Sequence, residues 1–262
     1  MNTMSSRRFA FVGLLLVLIL SAGTRAATTA PSTRPSPDAR YAVGELLYGD
    51  DFTDAKLPQW QAELQQGGTV AARGGAMEVD VPAGCTVWFV PPLDSPVLIQ
   101  YEATVVQKGG PNDRASDLNC FWMATDARSP QDLFATTRSG KFSDYDELRC
   151  YYVGLGGNGN TTTRFRRYIG QKDNRPLLPE HDLRAKEDLI TPNVAQTIRL
   201  IAAGPFIEFW RDGRKLFELN DPEPYTRGHF AFRTVTNHML IRHFEVRRLE
   251  LRPTATQPAT RP

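Results

Sequence analysis

The chain has 262 residues, with 31 basic and 29 acidic side chains and a formal charge of +2. Arg7, Arg8 and Arg25 fall in an acid-free N-terminal leader, so the remainder holds 28 basic against 29 acidic groups, about −1. This balance excludes a bulk electrostatic case for nucleic acid. Three cysteines without CxxC or Cys/His spacing point away from a metal site or a cysteine nucleophile.

Arg7 and Arg8 precede an apolar run from Phe9 to Leu20 and small residues up to Ala26, the pattern of a secretory signal peptide over 1–26. The run is too short to span a bilayer comfortably. The mature chain is therefore expected to be periplasmic or extracellular, with no stable membrane span; a retained N-terminal anchor is the alternative. The stretch "SSRRFAF" hints at a twin-arginine leader, but the strongly hydrophobic core of the leader favours the general secretion route. Residues 27–40 and 252–262 are rich in Thr, Pro and Ala, lack apolar side chains to bury, and read as a disordered linker and tail. Residues 41–251 suit one all-β domain.

Within that domain, short runs rich in Val, Ile, Phe, Tyr and Thr alternate with Gly, Pro, Asn and Asp. "TVAARGGAMEVDV" gives two strands around Gly74-Gly75. "CTVWFVPPL" and "VLIQYEATVVQ" are strands, and "SDLNCFWMATD" is apolar on both faces, which places it mid-sheet. "PFIEFWRDGRKLFEL" is a hairpin around Asp212-Gly213. "YTRGHFAFRTVTNHMLIRHFEVRRLEL" supplies two closing strands. Cys85, Cys120 and Cys150 each sit in a strand-like run; they are either small buried thiols or one bridged pair with one thiol left over.

The segment "DYDELRCYYVGLGGNGNTTTRFRRY" carries the most chemistry. Alternation puts Arg149, Tyr151 and Val153 on one face of the first strand, and Leu148, Cys150 and Tyr152 on the other. In the second strand Arg164, Arg166 and Tyr168 share a face. If the register aligns them, Arg149, Tyr151, Arg164, Arg166 and Tyr168 form one cationic, tyrosine-bearing surface. Clustered arginines repel one another unless an anion sits among them, and guanidinium groups fork onto carboxylate, sulfate or phosphate. The plain alternative is internal pairing with Asp117, Asp144, Asp146 or Glu147. His181, between Glu180 and Asp182, fits a general base or acid, or a solvent-exposed loop. Arg233, Asn237 and His238 are candidates for a groove rim. His229 and His243 lie in strands and read as structural. Asn119 faces opposite Trp122, so at most one of them lines a groove, and Trp122 reads as core. Asp50 and Asp51 leave a structural calcium ion open; no other cofactor is expected.

The motifs "DDF…W", "CTVWF", "SDLNCFWMATD", "RPLLPEHDL", "FWRDG", "DPEPYTRGHFAFRT" and "NHMLIRHFEV" together resemble a family of secreted bacterial domains of unknown function in the concanavalin A-like lectin/glucanase superfamily, similar to YesU-like proteins of pectin-utilisation clusters. The likeness runs from Gly49 to Val246. It implies a jelly-roll sandwich of two antiparallel sheets, the first strand beside the last. The functions expected on such a fold are a lyase on a uronic-acid polysaccharide, with a glycoside hydrolase as the lesser enzymatic variant, a carbohydrate-binding protein without catalysis, or a structural or interaction domain whose arginines pair internally. For the lyase the candidates are Arg149, Tyr151 and His181, with Asn119, Arg164, Arg166, Tyr168, Arg233, Asn237 and His238 binding the polysaccharide or oligosaccharide, an anionic one in either case. "YDELRCYY" resembles the Arg-x-Glu-Leu-Arg strand of jelly-roll alginate lyases, with Tyr145 in place of the first arginine and no counterpart of their Gln-Ile-His strand. The Glu-x-Asp-x-x-Glu strand of laminarinase-like hydrolases is missing.

Overall fold

The computed structural model describes residues 38–252. The leader, the linker up to residue 37 and the tail from residue 253 lie outside the described residues. No helix among the described residues is long and apolar enough to cross a membrane.

Among the described residues fifteen strands follow one another. They are β1 (Tyr41–Asp50), β2 (Trp60–Leu64), β3 (Thr69–Arg73), β4 (Ala76–Val81), β5 (Cys85–Asp94) and β6 (Val97–Val105). β7 (Leu118–Asp126), β8 (Leu148–Gly156), β9 (Thr162–Ile169) and the short β10 (Asp182–Leu183) come next. The last are β11 (Gln196–Ala203), β12 (Phe206–Arg211), β13 (Arg214–Asn220), β14 (Arg227–Thr234) and β15 (Asn237–Leu251). One sheet runs β13-β12-β11-β6-β15-β4-β3, with β1 added along β15. The other runs β10-β9-β8-β7-β14-β5-β2. The pairings are antiparallel, and the first strand lies against the last, as the resemblance implies. β12 and β13 turn on Asp212 (φ 50°) and Gly213 (φ 79°), the positive-φ pair that a two-residue hairpin needs.

The two sheets pack face to face over one apolar core. Val79, Ile99, Ile198, Leu200, Met239 and Ile241 of the first sheet meet Val87, Trp122, Tyr151, Val153, Phe165 and Phe232 of the second. β7 has β8 and β14 as neighbours, the mid-sheet place that its two apolar faces predict. Cys85, Cys120 and Cys150 are free and buried, which settles the cysteine question for thiols. A second apolar cluster lies on the opposite, outer face of the seven-stranded sheet. There Trp88, Phe121, Cys150, Tyr152, Tyr168 and Ala231 are covered by Leu133, Phe142 and Tyr145.

The cover is the β7–β8 connection, residues 127–147, which folds across the sheet as a strap. Its anchor is a buried polar network. Glu63 accepts hydrogen bonds from Trp88 Nε1 (2.9 Å), Tyr145 Oη (2.7 Å) and Arg138 Nε (3.2 Å). Arg138 also donates to Asp126 (2.9 Å) and to the Leu133 carbonyl (3.0 Å). The strap closes one part of the outer face and leaves the rest open as a groove.

Candidate functional site

The floor of the groove is a row of register partners. Thr86, Arg233, Asn119, Gly154 and Arg164 face one another in turn across β5, β14, β7, β8 and β9. The row continues to Glu63 at one edge and Asp182 at the other. The next outward row holds Trp88, Ala231, Phe121, Tyr152 and Arg166. A hydrogen-bonding row therefore lies beside an aromatic one. Above them sits a cavity of about 610 Å³, with Phe142 of the strap on one side and Arg114, Asn158, Asp173 and Arg175 on surrounding loops.

Five arginines reach this cavity, and three have a carboxylate. Arg164 forks onto Asp182 through Nε (2.9 Å) and Nη2 (3.2 Å) and holds that carboxyl at about 2. Arg175 meets Asp146 at 3.4 Å, and Arg114 meets Asp117 at 3.7 Å. Arg166 donates only to the carbonyl oxygen of Arg175. Burial, opposed in part by the Tyr168 ring and reinforced by Arg164, lowers its pKa. Arg233 is buried at 1% exposure between the rings of Phe142 and Tyr145. Its Nη1 donates to the Gly140 carbonyl (2.6 Å) and Thr86 Oγ1 (3.2 Å), while Nε and Nη2 have no partner. Beside it the carboxamide oxygen of Asn119 also lacks a donor. Burial raises the Tyr152 hydroxyl well above its ordinary value, so it stays protonated at neutral pH.

Of the residues expected in a site, the structure brings Asn119, Arg164, Arg166 and Arg233 into the groove. Tyr168 faces the same way but lies under the strap, its ring centroid 5.4 Å from that of Tyr152. The proposed trio of Arg149, Tyr151 and His181 does not come together. β8 pairs with β9 so that Tyr152 faces Arg166 and Cys150 faces Tyr168. Tyr151 therefore points between the sheets, where its hydroxyl donates to Asp221 (2.7 Å), as does Arg167 (2.7 Å). Arg149 is exposed at the other end of β8. The cause lies in the turn. Gly156, Asn158, Gly159 and Asn160 all have positive φ, and Gly157 pairs with Thr162 one residue out of step with the strands behind it. A one-residue slip exchanges the faces of a strand.

His181 packs its ring edge-on against Phe165, centroid to centroid 4.8 Å, and burial lowers its pKa. It is a buried neutral residue on the core side of β9, outside the groove, rather than a solvent-exposed loop residue. Asn237 is buried, its amide donating to the Ser116 carbonyl. His238 belongs to the other sheet, held by Asp113 (2.9 Å) and Glu78 (3.0 Å). Burial works against its protonation, but these carboxylates outweigh burial and raise its pKa. Neither Asn237 nor His238 forms a groove rim. Tyr152, Gly154 and Arg175 are groove residues that sequence reasoning missed. Alternation alone separates Tyr152 from Tyr151, and choosing between them requires the register. Asp50 caps Phe52 and Trp60, and Asp51 caps Thr53. Among the described residues no group of three or more His, Cys, Asp or Glu is gathered for a metal.

The architecture recurs in solved structures. A protein of unknown function with a galectin-like fold from Bacillus subtilis matches with a TM-score of 0.64 at 17% identity, over 81% of this chain and 100% of that one. β-Agarase B from Zobellia galactanivorans matches with a TM-score of 0.52 at 8% identity, over 83% and 97%. The carbohydrate recognition domain of Emp46p matches with a TM-score of 0.51 at 14% identity, over 74% and 91%. At these identities the likeness establishes the jelly-roll fold alone. Comparison with curated proteins returned no match. Residues 79–244, which include most of both sheets and the whole groove floor, match the model of a family described as a domain of unknown function, DUF6250, and the chain belongs to that family.

Proposed function

We propose that this chain is a carbohydrate-binding protein and that the groove takes an anionic glycan. One observation carries the reading: Arg166 and Arg233 line the groove without a carboxylate, in a floor otherwise made of hydrogen-bonding side chains and a tyrosine. Uncompensated guanidinium groups favour an oxyanion. The phenol ring of Tyr152 beside Asn119 suits the mixed apolar and hydroxyl faces of a sugar. β-Agarase B and the carbohydrate recognition domain of Emp46p, carbohydrate proteins by their names, share the sandwich and lend general support. Export of the mature chain, read from the leader, belongs to the same proposal. The likeness to YesU-like proteins puts pectic chains on the test panel.

The experiment is a binding panel of acidic and neutral polysaccharides at low and high salt. Acidic chains are expected to bind, more weakly as salt rises, and neutral chains are not. Equal retention of neutral chains, or no retention of any, defeats the reading.

A lyase is the second reading, favoured by Asn119, Arg233 and Tyr152 on adjacent strands of one floor. β-Elimination needs the uronate carboxylate neutralised, a base at C5 and an acid at the leaving oxygen. Arg233 and Asn119 suit the first role, and the protonated Tyr152 hydroxyl suits the last. The base would have to be Asp117 or Asp173. Growth of the ultraviolet absorbance of unsaturated uronate, abolished in Tyr152→Phe, would establish cleavage; binding without that absorbance leaves the non-catalytic reading.

A further inference from the structure

Three arginines of this chain display how it grips a carboxylate. Each presents Nε and Nη2 side by side to the two oxygens of one aspartate. The distances are 2.9 and 3.2 Å from Arg164 to Asp182, 2.9 and 2.7 Å from Arg128 to Asp126, and 3.0 and 2.9 Å from Arg40 to Asp38. Arg166 has the same edge and no aspartate. Its one hydrogen bond uses Nη1 and ends on a carbonyl oxygen. The charged and titratable groups that act on it most are Tyr168, Arg164, Arg175 and Tyr152; Asp117 and Asp173 line the same cavity without forming an ion pair with it. Arg166 is half-buried, and on the floor nearby the buried Arg233 adds a second charge with Nε and Nη2 unpartnered. Burying a cation without a counter-charge costs free energy that an incoming anion restores.

We propose that the anion is the carboxylate of a uronate residue, forked onto the Nε–Nη2 edge of Arg166 and drawn in by the charge of Arg233. The inference rests on the groove being the glycan site. A carboxylate is planar with two oxygens and answers two parallel donors fully. A sulfate ester has three oxygens on a tetrahedral centre and leaves one unanswered on that edge. Arg166 is the contact residue; Arg233, closed over by Phe142, acts through its field and is a specificity determinant rather than a contact.

The test is calorimetric titration of the purified chain with oligomers of galacturonate, guluronate, mannuronate and glucuronate. Each is paired with its methyl ester, and a sulfated galactose oligomer is run alongside. At least one uronate is expected to bind, with its methyl ester and the sulfated oligomer each weaker by about tenfold or more. Arg166→Met should lose about tenfold or more for that uronate, and Arg166→Lys should not restore it, because an ammonium cannot fork. Arg233→Met should weaken the same titration while leaving the thermal midpoint in place, which separates recognition from a structural role. A methyl ester that binds equally, a sulfated oligomer that binds more tightly, or an Arg166→Met variant of unchanged affinity overturns the carboxylate assignment and leaves the groove standing. Failure of every oligomer to bind defeats both proposals together.

Discussion

Gly154 shows what one missing side chain does. It lies on the floor between Asn119 and Arg164, and a Cβ there would meet the Tyr152 hydroxyl at 2.8 Å and its ring at 3.2 Å. Glycine lets that phenol fold down over the floor and turn its hydroxyl toward the groove. Alanine would push the ring aside without opening the core. Gly154→Ala is therefore expected to weaken uronate binding several-fold while unfolding free energy changes by less than about 1 kcal/mol. Calorimetry and urea denaturation measure the two quantities separately. Single-residue reasoning worked where a face is decided by alternation within one strand. Asn119 faces the groove and Trp122 the core, as β7 alone predicts. The same reasoning failed for Tyr151 and Tyr152, because their faces relative to β9 depend on a turn with several left-handed residues.

At the scale of elements, the strap decides how much of the outer face is usable. It buries an aromatic cluster under Leu133, Phe142 and Tyr145 and leaves the polar row free. What holds it is ionic and buried. Arg138, with its side chain fully inaccessible, bridges Glu63 of β2 and Asp126 at the end of β7. Such a pair is weak evidence of net stabilisation, but removing one partner strands the others. Arg138→Met is expected to cost about 3–5 kcal/mol, read from chemical denaturation, with faster hydrogen exchange over residues 127–147. A strap that stays protected in that variant would mean that its apolar contacts suffice. In the sequence, Glu63 and Arg138 are separated by five strands, β3 to β7, and nothing in local composition joins them.

Over residues 38–252 the chain is a sandwich of two sheets whose core excludes water from reactive groups. Cys85, Cys120 and Cys150 are all buried, and burial pushes the thiols of Cys85 and Cys120 up to about 12. A thiolate is the reactive form, so these residues are inert while the fold is intact. A thiol reagent is expected to label none of the three in the native protein and all three on unfolding, with modification tracking the global transition. Early labelling of one cysteine would place a local opening beside it.

By itself the sequence determined the all-β character, most strands, the Asp212-Gly213 hairpin and the shared face of Arg164 and Arg166 on β9. Those features depend on side-chain period and turn chemistry, which act over a few residues. The tertiary structure alone decided that Tyr152 rather than Tyr151 joins those arginines, that His181 is buried, and that Arg166 and Arg233 go without carboxylates. These depend on strand register and on contacts between distant segments, where a shift of one residue reverses a face and a distant acid either reaches a cation or does not.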